Sequence, residues 1–272
     1  MRSWLERVGL AAVLILGVVL PARAQQKTLT VYAAASLTDA FEDIGKLFEQ
    51  RHPGTRVEFN FGGSQALVFQ MQQGASADVF ASADNIWMGV AVDSGLTAGA
   101  PTLFARNRLV VIIPKSNPGR VDRLEHLARQ GTKVVLAADA VPVGHYSRQA
   151  LRNLASQPGY PADYVRSVLR NVVSNEESVK GVVSKVQLGE ADAGIVYRSD
   201  VTDPVARVVR VIPIPDSLNV IAEYPMAVLK DSREKDLARQ FVALVTSPEG
   251  QSVLQRYKFI PIGSAVPAST SP

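Results

Sequence analysis

Apolar runs that resemble buried strands alternate with segments of helical periodicity along most of this 272-residue chain. A strand predicted at 28–34 precedes a segment whose apolar residues recur at helical spacing, and a strand predicted at 56–61 precedes a second such segment. Alternation of this kind is typical of sheets that are mostly parallel and covered by helices on both faces. The sequence therefore predicts an α/β fold built from mixed, mostly parallel sheets flanked by helices.

The rest of the chain continues the same alternation. Further strands are predicted at 77–81, 109–114, 133–138, 171–173, 193–197, 206–213 and 224–229. The end is predicted to be helical from about 233 to 257, with an interruption at Ser247-Pro248, because proline cannot continue a helix. A chain of this length can form two ordinary lobes.

The first 24 residues carry a different pattern. A basic start precedes an uncharged apolar stretch of 13 residues, Val8 to Leu20, and Ala22-Arg23-Ala24 follows. Because about 20 residues are needed to span a bilayer, we interpret residues 1–24 as a secretory signal peptide that is cleaved after Ala24. The mature protein is then expected in the periplasm. The small, proline-dotted tail at 264–272 is expected to be mobile.

Composition argues against several kinds of function. The formal net charge is only +4 and the basic residues are scattered, which argues against a nucleic-acid partner. The chain has no cysteine, and its three histidines form no pattern of metal ligands. We therefore expect no disulfide, no cofactor and no direct ligand of a metal cation.

Hydrogen-bond donors collect where predicted strands lead into helices. Ser36 and Ser64 each lie at a predicted helix start, and the segments 142–144 and 177–179 offer free first-turn amides. Tyr197 lies at the end of another predicted strand. Open α/β sheets bind ligands at such strand ends. Because the serines and amides all donate, they suit a small anion that carries no proton of its own.

Two other interpretations stay open from the residues alone. A serine at a helix start is commonly only a cap. Residues 62–66, Gly-Gly-Ser-Gln-Ala, also approach the G-x-S-x-G nucleophile elbow, which would make Ser64 the nucleophile of a serine hydrolase. Ala66 replaces the final glycine, however, and His145 falls in the opening turn of a predicted helix rather than in a loop after a late strand. We therefore favour binding without catalysis.

Five segments of the sequence resemble one family. They are VYAAASLTDAF, FGGSQAL, QMQQGASADVFASAD, AADAVPVGHY and GEADAGIVYRSDV. Together they resemble the molybdate-binding proteins of ABC importers, which are type II periplasmic solute-binding proteins, over almost all of residues 27–262. The resemblance implies two lobes joined by a two-stranded hinge. Residues 25–105 and 218–272 would form the first lobe and residues 106–217 the second.

In that family, neutral donors from both lobes hold the oxyanion. The resemblance assigns hydroxyl and amide donors to Ser36 and Ser64, amide donors to Val143 and Val179, and a hydroxyl donor to Tyr197. It implies molybdate or tungstate as the ligand, an inner-membrane ABC permease as the partner and a monomer in solution. A binding protein for another oxyanion, such as sulfate, is the alternative. His145 has no assigned role.

Overall fold

The computed structural model describes residues 26–264. The predicted signal peptide at 1–24 lies outside the described residues, and so does the predicted mobile tail apart from Ser264. Among the described residues, the helices are all too short or too polar to cross a membrane.

The described chain forms an alternating series of strands and helices. The strands are β1 (Lys27–Ala34), β2 (Thr55–Gly62), β3 (Val79–Ala81), β4 (Thr102–Pro114), β5 (Val134–Ala137), β6 (Val172–Glu176), β7 (Ala193–Tyr197), β8 (Val209–Pro213), β9 (Ile221–Val228) and β10 (Ile260–Pro261). The helices are α1 (Thr38–Arg51), α2 (Ser64–Gln72), α3 (Asn85–Asp93), α4 (Pro142–Ala155), α5 (Tyr164–Arg170), α6 (Val179–Gln187), α7 (Asp203–Val208), α8 (Lys235–Thr246) and α9 (Pro248–Arg256). Short 3₁₀ turns lie at Ala35–Leu37, Leu124–Ala128 and Arg198–Asp200.

The strands hydrogen-bond in the order β2-β1-β3-β9-β4-β7-β5-β6, and β8 and β10 also pair with β4. The long strand β4 divides this sheet, because residues 102–108 pair with β9 whereas residues 109–114 pair with β7 and β8. We call the part on the β9 side, with α1, α2, α3, α8 and α9, the first half. The part on the β7 side, with α4 to α7, is the second half. The chain passes between them twice, within β4 and in the segment 214–220. The predicted lobe boundaries at 105/106 and 217/218 lie beside these crossings and stay a prediction.

The α/β fold class is confirmed, with one difference in the direction of the strands. Parallel pairing occurs between β1 and its neighbours β2 and β3, and between β5 and its neighbours β6 and β7. Every pair that includes β4 or β9 is antiparallel. The sheet therefore contains more antiparallel pairing than the sequence predicts, because the long strands where the halves join run against their neighbours.

The predicted strand at 206–213 is also partly wrong. Residues 203–208 form helix α7, and only 209–213 form a strand. Pro204 near the start of α7 favours a helical first turn, and none of the α7 residues is buried, so no core contact favours an extended chain there.

Helices cover both faces of the first half of the sheet. On one face, Phe41 of α1 and Phe241 of α8 pack against the core that Val31 of β1 enters. On the other face, Leu67 of α2 packs in a cluster with Tyr32, the next residue of β1. Successive strand residues point to opposite faces, so the alternation along β1 fixes which helix lies on which side.

Phe241→Ala is expected to lower the free energy of unfolding by about 3–5 kcal/mol, the usual cost of a buried phenylalanine. The Phe241 side chain is fully buried and its ring contacts those of Phe41, Phe48 and Phe59. Urea unfolding followed by circular dichroism measures the change. Leu188→Ala is the control because Leu188 is 72% exposed, and equal losses in the two variants would contradict the packing described.

Candidate functional site

The N-termini of helical segments from both halves meet around one small cavity. Its volume is about 10 Å³, and it is lined by Ala34, Ala35, Ser36, Gly63, Ser64, Ala83, Val141, Pro142, Val143, Val179 and Tyr197. The structure therefore brings all of the sequence-predicted site residues to a single place. None of the lining residues has a charged side chain. Pockets for drug-sized molecules usually enclose about 300–1,000 Å³, so this cavity suits a smaller solute.

Ser64 is the first residue of α2 and is almost completely buried. Its Oγ accepts a hydrogen bond from the backbone N–H of Ala83 at 3.0 Å. The helix cap is Gly63, with no side-chain capping bond, so Ser64 is not a capping residue. Because Oγ accepts from Ala83, the hydroxyl proton of Ser64 is left to donate to another group, and the cavity lies beside it.

Ser36 lies in the 3₁₀ turn that precedes α1 and is likewise buried. Its Oγ lies 3.0 Å from the hydroxyl oxygen of Tyr224 on β9. No side-chain capping bond is made at the start of this turn or of α1. The interpretation of the two serines as helix caps is therefore wrong for both.

Val143 and Val179 bring backbone donors from the second half. Val143 lies in the first turn of α4 and Val179 begins α6. Their side chains are buried in the core, and among the described residues their amides have no hydrogen-bond acceptor. First-turn amides lack partners within their own helix and carry the positive end of its dipole. Both amides are thus available to an anion in the cavity.

Glycine at position 144 permits the close approach that places Val143. A Cβ atom on Gly144 would lie 2.0 Å from the carbonyl oxygen of Ala138 and 2.5 Å from that of Ala137. Any larger residue would push the start of α4 away from the end of β5.

Tyr197 ends β7 and completes the set of donors. Its side chain is 1% exposed, and its hydroxyl has no hydrogen-bond partner among the described residues. Burial raises the pKa of Tyr197 well above its usual range, so the hydroxyl keeps its proton. Leaving a buried hydroxyl unpaired costs about 1–3 kcal/mol. A ligand that accepts from this hydroxyl would remove that cost.

A buried carboxyl group supports Tyr197 from outside the cavity lining. Asp200 Oδ2 accepts a hydrogen bond from the backbone N–H of Tyr197 at 3.0 Å. Burial raises the pKa of Asp200 to about 7, against the opposing effects of Lys180 and of the Tyr197 hydrogen bond. Burial likewise raises the pKa of Asp84, which caps α3 through the backbone N–H of Trp87. Near neutral pH, the negative charge of Asp200 is therefore partly suppressed.

The two halves touch across the rim of the cavity. Trp87 Nε1 donates to the carbonyl oxygen of Ala140 at 2.7 Å. Gln65 Nε2 donates to the carbonyl oxygen of Glu177 at 3.0 Å, and Lys180 Nζ lies 2.8 Å from Asp39 Oδ2. The structure is thus closed around the site.

Gly63 lies where the halves approach each other. A Cβ atom on this glycine would lie 2.6 Å from the carbonyl oxygen of Glu177 in the second half. The side-chain oxygen Oε1 of Gln65 would also lie too close to this Cβ atom, at 2.4 Å. The closed arrangement therefore requires glycine at this position.

Several residues that shape the site carry no sequence signal. Tyr224 lies inside β9, and it reaches Ser36 because β9 joins the sheet beside β3, which pairs with β1. Trp87 belongs to a helix that the sequence analysis did not predict. Gln65 follows Ser64 directly, and its position beside a candidate donor was the one signal that could have identified it.

The serine hydrolase alternative does not fit this geometry. It requires a base hydrogen-bonded to the Ser64 hydroxyl, whereas Ser64 Oγ pairs with the amide of Ala83. No histidine lines the cavity, and the half-exposed His145 lies 3.9 Å from Asp139. Within residues 26–264, no cluster of three or more histidine and acidic side chains is placed to hold a metal ion.

The fold and the cavity together define a protein that encloses a small solute between two halves. A family model described as bacterial extracellular solute-binding protein matches residues 29–260. The molybdate-binding protein ModA of Mycobacterium tuberculosis is 41% identical over 233 residues, which cover 86% of this chain and 84% of the relative. The chain therefore belongs to the bacterial extracellular solute-binding protein family. Its relatives are binding proteins rather than enzymes.

Two solved structures share the fold. The periplasmic molybdate-binding protein of Azotobacter vinelandii matches with a TM-score of 0.73 and 22% identity, over 85% of this chain and 98% of that one. The sulfate-binding protein SubI of Mycobacterium tuberculosis matches with a TM-score of 0.79 and 17% identity, over 88% of each chain. At these identities the likeness concerns the fold alone.

Asp200→Asn is expected to make stability less dependent on pH. The pKa of this carboxyl rises from 3.8 to about 7 on folding, so between these values the folded protein holds a proton that the unfolded chain has lost. Stability should then fall as pH rises through this window. Between pH 4 and pH 8, the free energy of unfolding of the variant should rise relative to that of the parent by up to about 4 kcal/mol, at about 1.4 kcal/mol per pKa unit.

Urea unfolding at several pH values measures this difference. Asp236→Asn is the matched control, because the Asp236 side chain is 90% exposed. A constant stability difference between Asp200→Asn and the parent across the whole range would contradict the burial of this carboxyl.

Proposed function

We propose that this protein captures molybdate, and also tungstate, between its two halves and delivers it to an ABC permease in the inner membrane. In this proposal it acts in the periplasm as a monomer, after removal of residues 1–24, and needs no cofactor. The observation that carries the proposal is the cavity whose polar side chains and unpaired first-turn amides are neutral donors from both halves. The relatives named as molybdate-binding proteins support the choice of ligand.

Neutral donors can supply the free energy needed to bind a dianion if enough of them surround it. The hydroxyls and amides of Ser36 and Ser64, the amides of Val143 and Val179 and the hydroxyl of Tyr197 make seven donors beside the cavity. Hydrogen bonds to a charged group contribute roughly 1.5–3 kcal/mol each, so seven give on the order of 10–20 kcal/mol before entropy costs. Micromolar to nanomolar binding needs about 8–12 kcal/mol. No lysine or arginine is required in the cavity.

The division of the donors explains how binding closes the protein. The first half supplies Ser36 and Ser64, and the second half supplies Val143, Val179 and Tyr197. Because only the closed arrangement brings all of them to one anion, the ligand stabilises that arrangement over an open one. The permease would then recognise the closed form.

The donor chemistry also favours some anions over others. Molybdate, tungstate and sulfate are tetrahedral dianions that need donors only. Hydrogen phosphate carries a proton that needs an acceptor, and no acidic side chain lines the cavity. A buried donor without an acceptor is costly, so phosphate is expected to bind poorly.

Titration calorimetry with the mature chain tests the proposal directly. We expect binding of molybdate and tungstate, and weaker or no binding of sulfate and phosphate. Ser64→Ala should weaken molybdate binding by about 1–3 kcal/mol, the cost of an unmade bond to a charge. Ser167→Ala is the matched control, since Ser167 is buried on α5 and bonds to Asp163.

Unchanged molybdate affinity in a Ser36→Ala, Ser64→Ala double variant would contradict the proposed site. Sulfate binding stronger than molybdate binding would keep the site and change the ligand.

Gly63→Ala is expected to weaken molybdate binding at least tenfold, which is about 1.4 kcal/mol. The added methyl group would meet the Glu177 carbonyl oxygen only in the closed arrangement, so it disfavours closure without removing a donor. Trp87 reports closure, because it is the sole tryptophan after residue 24 and its indole bonds across the rim to Ala140.

Fluorescence titration measures affinity and closure together. Gly99→Ala is the control, because a Cβ atom there meets nothing within 4 Å. Equal affinities for the Gly63 and Gly99 variants would show that binding does not depend on the close approach at Gly63.

A further inference from the structure

Behind Ser36 lies a buried chain of polar groups that the proposed ligand does not touch. Tyr224 of β9 is fully buried, and its hydroxyl oxygen lies 3.0 Å from Ser36 Oγ. Asn107 of β4, also fully buried, lies on the neighbouring strand, since β4 and β9 pair along residues 102–108. Neither residue lines the cavity.

Both ends of the Asn107 side-chain amide make hydrogen bonds. Asn107 Oδ1 accepts from the backbone N–H of Arg108 at 3.0 Å, and Nδ2 donates to Ser199 Oγ at 2.8 Å. The amide nitrogen therefore faces the hydroxyl of Ser199. Burial raises the pKa of Tyr224 well above its usual range, so this hydroxyl keeps its proton. A hydroxyl that keeps its proton has one hydrogen to donate.

In the proposed site, the proton of the Ser36 hydroxyl points to the oxyanion, so Ser36 Oγ can only accept from Tyr224. The two oxygens lie 3.0 Å apart, so Tyr224 is then the donor of this bond and Ser36 Oγ the acceptor. A serine oxygen that accepts this bond must direct its own proton elsewhere, and the cavity lies on its open side. Ser64 is held in the same way by the amide of Ala83.

We propose that Tyr224 is a positioning residue, which holds the Ser36 hydroxyl as a donor towards the bound oxyanion and prevents it from accepting a proton from a protonated anion. This inference rests on the proposed oxyanion site and adds a residue that sets its selectivity. Two consequences follow from the geometry. Loss of the Tyr224 hydroxyl lets the Ser36 hydroxyl rotate, so a dianion loses part of one bond. The freed oxygen of Ser36 can then accept the proton of hydrogen phosphate.

A double-mutant cycle separates this role from a general effect on packing. Tyr224→Phe keeps the ring that packs against Phe104, Tyr197 and Phe259 and removes only the hydroxyl. It should weaken molybdate binding roughly five- to thirtyfold, because the dianion loses part of one hydrogen bond to a charged group. In a Ser36→Ala background the same change should alter affinity by less than about twofold, because the residue it acts through is gone.

Selectivity gives a second readout that altered packing would not move. The ratio of phosphate to molybdate affinity should rise in Tyr224→Phe relative to the parent. Tyr164→Phe is the matched control: its hydroxyl is also buried and donates to the carbonyl oxygen of Leu124. Neither residue lines the cavity, so the control should leave both the affinity and the ratio unchanged.

The outcomes are distinguishable from a failure of the proposed function. The cycle is run with whichever of molybdate, tungstate or sulfate the parent binds most tightly. If the parent binds the anion, either of two results overturns the role of Tyr224 alone. One is that Tyr224→Phe causes equal losses of affinity in both backgrounds. The other is that it causes no loss of affinity and leaves the ratio of phosphate to molybdate affinity unchanged. A parent that binds none of these anions overturns both proposals.

Discussion

The structure depends on a set of neutral N–H and O–H groups that converge on one buried cavity without partners of their own. Tyr197 shows the constraint most clearly, because its hydroxyl is buried and unpaired among the described residues. Groups in this state are costly unless something accepts from them. The fold holds them there through large apolar contacts elsewhere, such as the Phe41, Phe48 and Phe241 rings on one face of the first half. The apolar contacts that stabilise the fold therefore lie apart from the cavity. Their stabilisation offsets the free-energy cost of leaving the donors unpaired.

In the proposed function, the division of the site between two halves turns binding into a conformational signal. The contacts across the rim are few and polar, from Trp87, Gln65 and Lys180. Exposed ion pairs and single hydrogen bonds contribute little, so they close the protein only weakly by themselves. A dianion bonded from both sides adds a much larger preference for closure. A sulfate-binding protein shares the fold, so the choice of anion must come from the residues around it.

The sequence was informative where function lies at strand ends and uninformative where it lies inside strands. Ser36, Ser64, Val143, Val179 and Tyr197 each follow a predicted strand, and the resemblance named them individually, so their meeting at one cavity could be anticipated. Tyr224 could not be anticipated, because its contact with Ser36 is made by the pairing of distant strands. The first part of β4 was missed for a related reason. Its arginines, Arg106 and Arg108, look like a polar loop, but they pair with Glu223 and Asp216 near the places where the chain passes between the halves.

The absence of a cation from the cavity lining has a physical advantage. A lysine or arginine would attract any anion of suitable size, because its charge acts in all directions. Hydroxyls held by a second hydrogen bond instead present a proton at a fixed place and no lone pair. Such a site distinguishes anions by shape and by whether they carry a proton. The raised pKa values of Asp84 and Asp200 fit the same design, because a carboxyl group that is less readily ionised repels a nearby dianion less.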